Sequence, residues 1–291
     1  CLADAELSGP IADAEPIRRR LCADLVLDAR SGPEVRDGVD HGGLPYNVSA
    51  TEWLQFGGLK ASKSQKVGVW MDEALELFPA DYWRYFLMAT RPETKDSNFS
   101  WEVLTERINA DLNDTFGNFI HRTLTFINSK FDSTIPEVDG SDHDAAEILK
   151  TLEEKVQMVT KELDACKLQS AINTVISISR VGNQYLNEEE PWNVIKEDRQ
   201  KAATIFSVAA QFVKALAVLS APFIPFAAEE VWTTLNMSGS IHEQYWKEAL
   251  KPLPPNHKIQ KAKPLFKKIE ETPEQLAEKL ETVRDKLRKP L

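Results

Sequence analysis

From Ser100 onward the apolar residues of this chain recur at helical spacing, and that row constrains the fold more than any other feature. Leu104, Ile108, Leu112, Phe116, Ile120, Leu124 and Ile127 follow one another at intervals of three or four, which places them on one stripe of a long helix. A second amphipathic stretch covers 142–163, with Ile148, Leu149, Leu152, Val156, Val159 and Leu163 inward. A third covers 168–186 and a fourth 199–219, with a fifth around 227–235 after Pro222 and Pro225 bend the chain. Glu188, Glu189, Glu190, Pro191 and Trp192 break the pattern between the third and fourth. Helices of about 20 residues joined by short connections predict an antiparallel bundle, so the chain is expected to be mainly α.

Before the bundle the pattern is different. Residues 44–58 suggest a short extended segment reaching a turn at Gly57 and Gly58. Met71, Asp72, Glu73, Ala74 and Leu75 begin a short helix stopped by Pro79, and Asp81 is placed to cap the next helix, through Tyr82, Trp83, Tyr85, Phe86 and Leu87, because a short carboxylate accepts the free N–H groups of a first turn. After Pro252 the chain turns Pro- and Lys-rich up to Phe266, then carries a thin leucine stripe at Leu276, Leu280 and Leu287. That tail is expected to be a linker and a small helix.

Residues 1–43 differ from the rest: they contain no aromatic residue and no lysine, and the first lysine of the chain is Lys60. They are expected to be either an atypical, truncated or misjoined leader of a longer protein or a disordered tail. The expected divisions are 1–43, 44–96, 97–250 and 251–291.

At 291 residues, with 42% apolar and 27% charged residues, the chain is long enough for about two domains with their own cores. No apolar run approaches the ~20 residues of a membrane span, and no secretory signal opens the chain. Cys1, Cys22 and Cys166 are widely spaced and odd in number, which suits neither a disulfide framework nor a zinc site. His41, His121, His143, His242 and His257 are scattered without metal spacing. A cytoplasmic protein with no structural metal and no membrane partner is expected. The net charge of −10 argues against broad, sequence-blind nucleic-acid binding, which needs a basic surface. A local site that stacks and reads a few bases remains compatible with it.

Two features carry chemistry. Lys60, Ala61, Ser62, Lys63 and Ser64 form a short polar loop between apolar segments. Its ammonium groups, hydroxyls and backbone N–H groups suit a phosphate chain; the plainer alternative is a solvated surface loop. Asn118 and Arg122 are four apart and so share one helix face. Asn offers a donor and an acceptor, and Arg a fork of donors, enough to read a cytosine edge. Trp192, in the break after Pro191, is either a stacking platform beside that face or a core staple.

Several separated segments, in order, resemble methionyl-tRNA synthetases, class I aminoacyl-tRNA synthetases, in the archaeal or eukaryotic branch. They are 44–53 (Leu-Pro-Tyr-Asn-Val-Ser-Ala-Thr-Glu-Trp), 60–64, 79–85 (Pro-Ala-Asp-Tyr-Trp-Arg-Tyr), 91–99, 117–122 and 190–192. The likeness covers roughly 44–270. It implies the C-terminal edge of a Rossmann-type α/β catalytic domain followed by the class I anticodon-binding helical bundle, the stretch 219–235 being part of that packing. It further implies that Lys60 and Lys63 hold ATP, supplied with Mg2+ as substrate, while methionine attacks to form methionyl-adenylate. It implies that Asn118, Arg122 and Trp192 read the anticodon of methionine tRNA, chiefly its first base. The family's loop is usually written KMSKS, and Ala61 replaces its methionine, a position expected to pack the loop. The family's HIGH motif, methionine pocket and zinc insertion are not matched; His41-Gly42-Gly43-Leu44 is only superficially similar. The chain is therefore expected to be a piece that does not aminoacylate alone. The rivals are a leucine, valine or isoleucine synthetase and a non-catalytic tRNA-binding helical scaffold.

Overall fold

The computed structural model describes residues 49–62, 64–65, 67–137, 142–254 and 256–287. The atypical segment 1–43, residues 44–48 of the extended approach, and Lys63 lie outside the described residues. The first ordered elements are a small sheet. Strand β1 (Leu54–Phe56) turns at Gly57 and Gly58 into antiparallel β2 (Leu59–Lys60), and β3 (Ser97–Phe99) pairs parallel with β1 on its other side, in register Leu54 to Ser97. The Asp96 carboxylate ties this edge together, accepting from the Trp53 N–H and from Gln55 Nε2, both at 2.9 Å. The division expected between 96 and 97 therefore falls inside the sheet rather than at a boundary.

Between β1 and β3 run α1 (Met71–Leu77) and α2 (Ala80–Ala89). Helix α2 is the junction of the molecule, because each polar side chain of its first turns reaches a different element. Trp83 Nε1 donates to the Ala74 carbonyl at 2.7 Å. The Tyr82 hydroxyl donates to the Lys267 carbonyl and accepts from the Lys267 N–H, both at 2.8 Å. Arg84 donates to the carbonyls of Phe223 (3.0 Å) and Pro222 (2.7 Å), and Tyr85 to Asp111 at 2.7 Å. Asp81 does not cap its own helix. Its carboxylate accepts from the N–H groups of Ala227 (2.7 Å) and Phe226 (3.4 Å), so it caps the helix that starts at Pro225. Pro79 is the N-cap residue of α2 and makes no side-chain cap. Asp81 lies inside the first turn, where its carboxylate can turn outward to a neighbour's free N–H groups.

The long apolar row folds as three helical pieces in line: α3 (Trp101–Arg107), a π-helical segment (Ile108–Gly117) and α4 (Asn118–Lys130). Leu104, Ile108, Leu112, Phe116, Ile120 and Leu124 are all buried and repeat at a strict spacing of four. At 3.6 residues per turn such a row drifts about 40° per step, and the wider π winding turns it back toward one core. Helices α5 (His143–Asp164), α6 (Leu168–Glu189) and α8 (Arg199–Ser220) follow the expected periods, with Asp142 and Asp198 accepting from the Ala145 and Lys201 N–H groups as N-caps. Glu188 and Glu189 belong to α6, and the break falls at Glu190, whose φ is +42°. The Pro191–Trp192 stretch is not an open loop but a one-turn helix, α7 (Pro191–Val194), with proline at its start, where its missing N–H costs nothing.

Helix α8 is the axis of the bundle. It is apolar enough by length and composition to cross a membrane, yet every residue from 202 to 220 except Gln211 is buried inside the fold. Each buried Phe, Leu or Val contributes about 1.5–3 kcal/mol. Lys214, among them, satisfies its ammonium on the Lys251 carbonyl at 2.8 Å. Helix α9 (Pro225–Thr234) closes the bundle with Trp232 in the core.

The tail expected to be a linker is a packed strap. Ile259 N–H donates to Ser133, Asn128 bridges the Gln260 carbonyl and the Ala262 N–H, and Asn109 pairs with both backbone groups of Ile269. Phe266 is buried against Tyr82 and Phe116. The strap ends in α10 (Pro273–Leu287), which packs Leu276, Leu280 and Arg284 inward, on α1 and α3. Pro and Lys dominate this stretch because it is held by its backbone groups and a few apolar anchors, a pattern without periodicity.

Candidate functional site

Two places in the fold carry the residues singled out above. The first is a groove of about 630 Å³ between α4 and α6. Asn118 and Arg122 stand on its α4 wall; Arg180, Asn183, Gln184 and Asn187 stand on its α6 wall. The walls come close because position 182 is glycine: a Cβ there would lie 2.4 Å from the Phe119 ring. At the end of the groove the Arg122 guanidinium lies 5.2 Å from the centroid of the Trp192 ring, and its Nη2 donates to Asn187 Oδ1 at 3.2 Å. Trp192 is half-buried, resting on Phe126 with ring centroids 6.3 Å apart. One part of the ring is therefore packed and the rest is left toward the groove, so the stacking and packing roles are combined in one residue.

The groove's chemistry is that of a reader of polar edges. Asn118 is exposed, and the amides of Asn183, Gln184 and Asn187 each offer a donor and an acceptor. Arg180 is held by a 2.6 Å ion pair to Asp111, a nearly buried carboxylate that also binds Arg107 and the Tyr85 hydroxyl. Burial, with the Asp111 charge beside it, holds the Tyr85 hydroxyl well above the usual phenol range, so it stays a donor. The structure thus brings Asn118, Arg122 and Trp192 together as expected. Sequence reasoning missed Asn187 and Arg180; their spacing of three and four from Asn183 and Gln184 on one helix face was the available signal.

The second place is the lysine loop. Lys60 closes β2 with its ammonium 4.1 Å from the centroid of the Trp53 ring, a cation–π contact on an exposed tryptophan. Ser62 pairs with Val67 through two backbone hydrogen bonds of 2.9 Å, and the Ser62 and Ser64 hydroxyls are 3.2 Å apart. Ala61 is exposed rather than packed under the loop: its methyl group is too short to reach an apolar neighbour. Lys63 lies outside the described residues. Trp53 is the contributor to this loop that its sequence neighbourhood alone did not single out. Among the described residues no group of three or more His, Cys, Asp or Glu side chains forms a metal-binding cluster.

Comparison with known proteins agrees with this architecture. A family model described as the anticodon binding domain of methionyl tRNA ligase matches residues 135–285, and one described as tRNA synthetases class I (M) matches residues 33–124. A methionine–tRNA ligase of Aeropyrum pernix is 40% identical over 228 residues, covering 78% of this chain and 40% of that protein. Another, from Thermofilum pendens, is 41% identical over 246 residues, covering 83% and 42%. The chain thus spans about two fifths of the length of the curated relatives it matches. Among solved structures, apo Mycobacterium tuberculosis methionyl-tRNA synthetase shares the fold with a TM-score of 0.69 at 22% identity, over 79% of this chain and 45% of that one. The same enzyme in complex with methionyl-adenylate gives 0.68 at 24% identity, over 75% and 43%. Since the first family model alone spans more than half of the chain, the chain belongs to the methionyl-tRNA ligase family.

Proposed function

We propose that this chain supplies the anticodon reader and the phosphate-clamping loop of a cytoplasmic methionine–tRNA ligase. The parent reaction activates methionine with ATP to methionyl-adenylate and transfers it to methionine tRNA. The observation that carries the reading is the grouping of Arg122, Trp192 and Asn118 at one end of the α4–α6 groove. A cytosine entering there stacks on the Trp192 ring, and stacking contributes ~1–3 kcal/mol per base. Its polar edge meets the Asn118 amide and the Arg122 fork, already oriented by Asn187. Recognition through a few such groups explains how a chain of net charge −10 binds RNA at a local site.

At the other end, Lys60 and Lys63 act on the triphosphate, which arrives with Mg2+ as part of the substrate. Positive charge there stabilises the negative charge that develops as pyrophosphate leaves. Lys60 rests on Trp53 when no nucleotide is bound, so binding exchanges an exposed cation–π contact for a phosphate contact, a modest cost of about 0.5–1 kcal/mol. Titration of the chain with a methionine-anticodon stem–loop tests the reader. Replacing Lys60 or Lys63 with Ala in a full-length enzyme carrying this segment tests the clamp, by a slower adenylate step with methionine affinity retained.

A further inference from the structure

The lysine loop hangs between glycines in left-handed conformations. Gly57 (φ +59°) and Gly58 (φ +75°) stand at its entry and Gly68 (φ +128°) at its exit. Positions that absorb large φ/ψ changes are where a loop hinges, and only the entry is fastened from its own sheet, by the Gly58 N–H donating to Asn98 Oδ1 at 3.0 Å. The exit is fastened from 216 residues away. Arg284 on α10 donates through Nη2 to the Gly68 carbonyl, through Nε to Glu73 Oε1 at 3.0 Å, and through Nη1 to Glu281 at 2.6 Å.

We propose that Arg284 is a positioning residue for the lysine loop, acting from the C-terminal helix by holding the Gly68 carbonyl and so fixing the hinge on which the loop closes. This rests on the reading of the loop as a nucleotide-phosphate clamp. Arg284 and Glu73 have side chains only 5% and 4% exposed, and Glu73 in turn accepts from the Trp70 N–H at 3.0 Å. Both ends of the segment 68–70 are thus tied to one buried ion pair. Such a pair gives little net stability over an apolar pair of the same shape, because both charges must be desolvated. What it does give is geometry: the planar guanidinium fork fixes a carbonyl and a carboxylate at once, which an ammonium does not reproduce. A space of about 420 Å³ lined by Phe56, Gly57, Gly68, Val69, Trp101 and Arg284 lies beside the hinge. The exit can therefore swing, and the Arg284 contact is what sets its resting place.

The test compares Arg284→Gln, Arg284→Lys and Lys60→Ala with wild type in a full-length methionine–tRNA ligase carrying this segment. Four quantities are read: methionine-dependent ATP–pyrophosphate exchange, the methionine KM, the urea midpoint, and the rate of native-state tryptic cutting at Lys60, Lys63 and Lys66. Arg284→Gln is expected to speed cutting in the loop by about 10-fold, the signature of easier local opening. It should lower kcat for exchange by about 10-fold while methionine KM changes less than about 2-fold, a loss confined to the reacting step. Arg284→Lys should fall between the two, and it decides the outcome where Arg284→Gln fails to fold. Wild-type cutting and wild-type kcat in either folded variant overturn the proposal, even where the urea midpoint falls, because a merely structural arginine would shift only that midpoint. If Lys60→Ala slows exchange while the Arg284 variants do not, the clamp reading stands and the positioning role alone is lost. If Lys60→Ala also leaves exchange unchanged, the clamp reading fails and takes this proposal with it.

Discussion

The guanidinium of Arg122 lies 5.2 Å from the centroid of the Trp192 ring while its Nη2 donates to Asn187 at 3.2 Å. The contact joins α4, α6 and the one-turn helix α7 at a single point, and it leaves the side chain that would read a base already placed over the surface on which the base would stack. An arginine held by a second partner loses less freedom on binding than a free one, which favours affinity without adding contacts.

Trp192→Ala should weaken binding to a methionine-anticodon stem–loop by about 1–3 kcal/mol. Because the ring is half-buried, its folding cost should stay below the ~3–5 kcal/mol typical of a fully buried aromatic. Urea midpoints and stem–loop titrations on the same pair of proteins separate the two effects. Loss of the folded bundle would mean that Trp192 is a core staple.

Gly182→Ala should destabilise the bundle, although the same change at an open helix position stabilises by roughly 0.5–1 kcal/mol. The reason is the 2.4 Å approach of the added Cβ to Phe119, overpacking that costs about 1–3 kcal/mol. Since the strain opens the groove between α4 and α6, stem–loop affinity should fall as well. A more stable variant with unchanged affinity would show that the helices part freely.

Asp81 offers a pH test. Burial, the dominant influence, raises its carboxyl above the ordinary 3.8 despite the opposing backbone hydrogen bonds from Ala227 and Phe226. The folded state therefore holds this proton more tightly than the unfolded chain, so the stability it contributes is full below 3.8 and is lost as pH rises through the raised value. Relative to Asp81→Asn, which keeps an acceptor but cannot titrate, wild type should lose stability as pH climbs past about 4. Denaturant midpoints of both proteins between acid and neutral pH give the comparison, and a difference that stayed flat would contradict it.

The helical bundle was legible because its stripes repeat: α5, α6 and α8 follow the apolar periods of their sequence to within a few residues. The π-helical segment was not, since spacings of four fit an α-helix locally and only their accumulated drift betrays the wider turn. Asp81 was read as a cap on its own helix because sequence rules describe local partners, whereas the N–H groups it satisfies belong to a helix 146 residues away. The strap from Pro252 to Phe266 carried no period because its bonds run through the backbone and through Tyr82, Asn109 and Asn128. At the groove, Asn118, Arg122 and Trp192 were legible as a set. The support from Asn187, and from Arg180 through Asp111, depends on how closely α6 approaches α4, which rests on Gly182.

The most direct measurement of the central claim is a pair of titrations of this chain with two methionine-type stem–loops that differ only at the first anticodon base, cytosine in one and not in the other. The account predicts that wild type prefers the cytosine loop by about 1–3 kcal/mol, the discrimination expected of one well-placed set of polar contacts to a base edge. Asn118→Ala and Arg122→Ala should each erode that preference while leaving the bundle folded. Equal wild-type affinity for both loops would contradict the assignment of the α4–α6 groove as an anticodon reader.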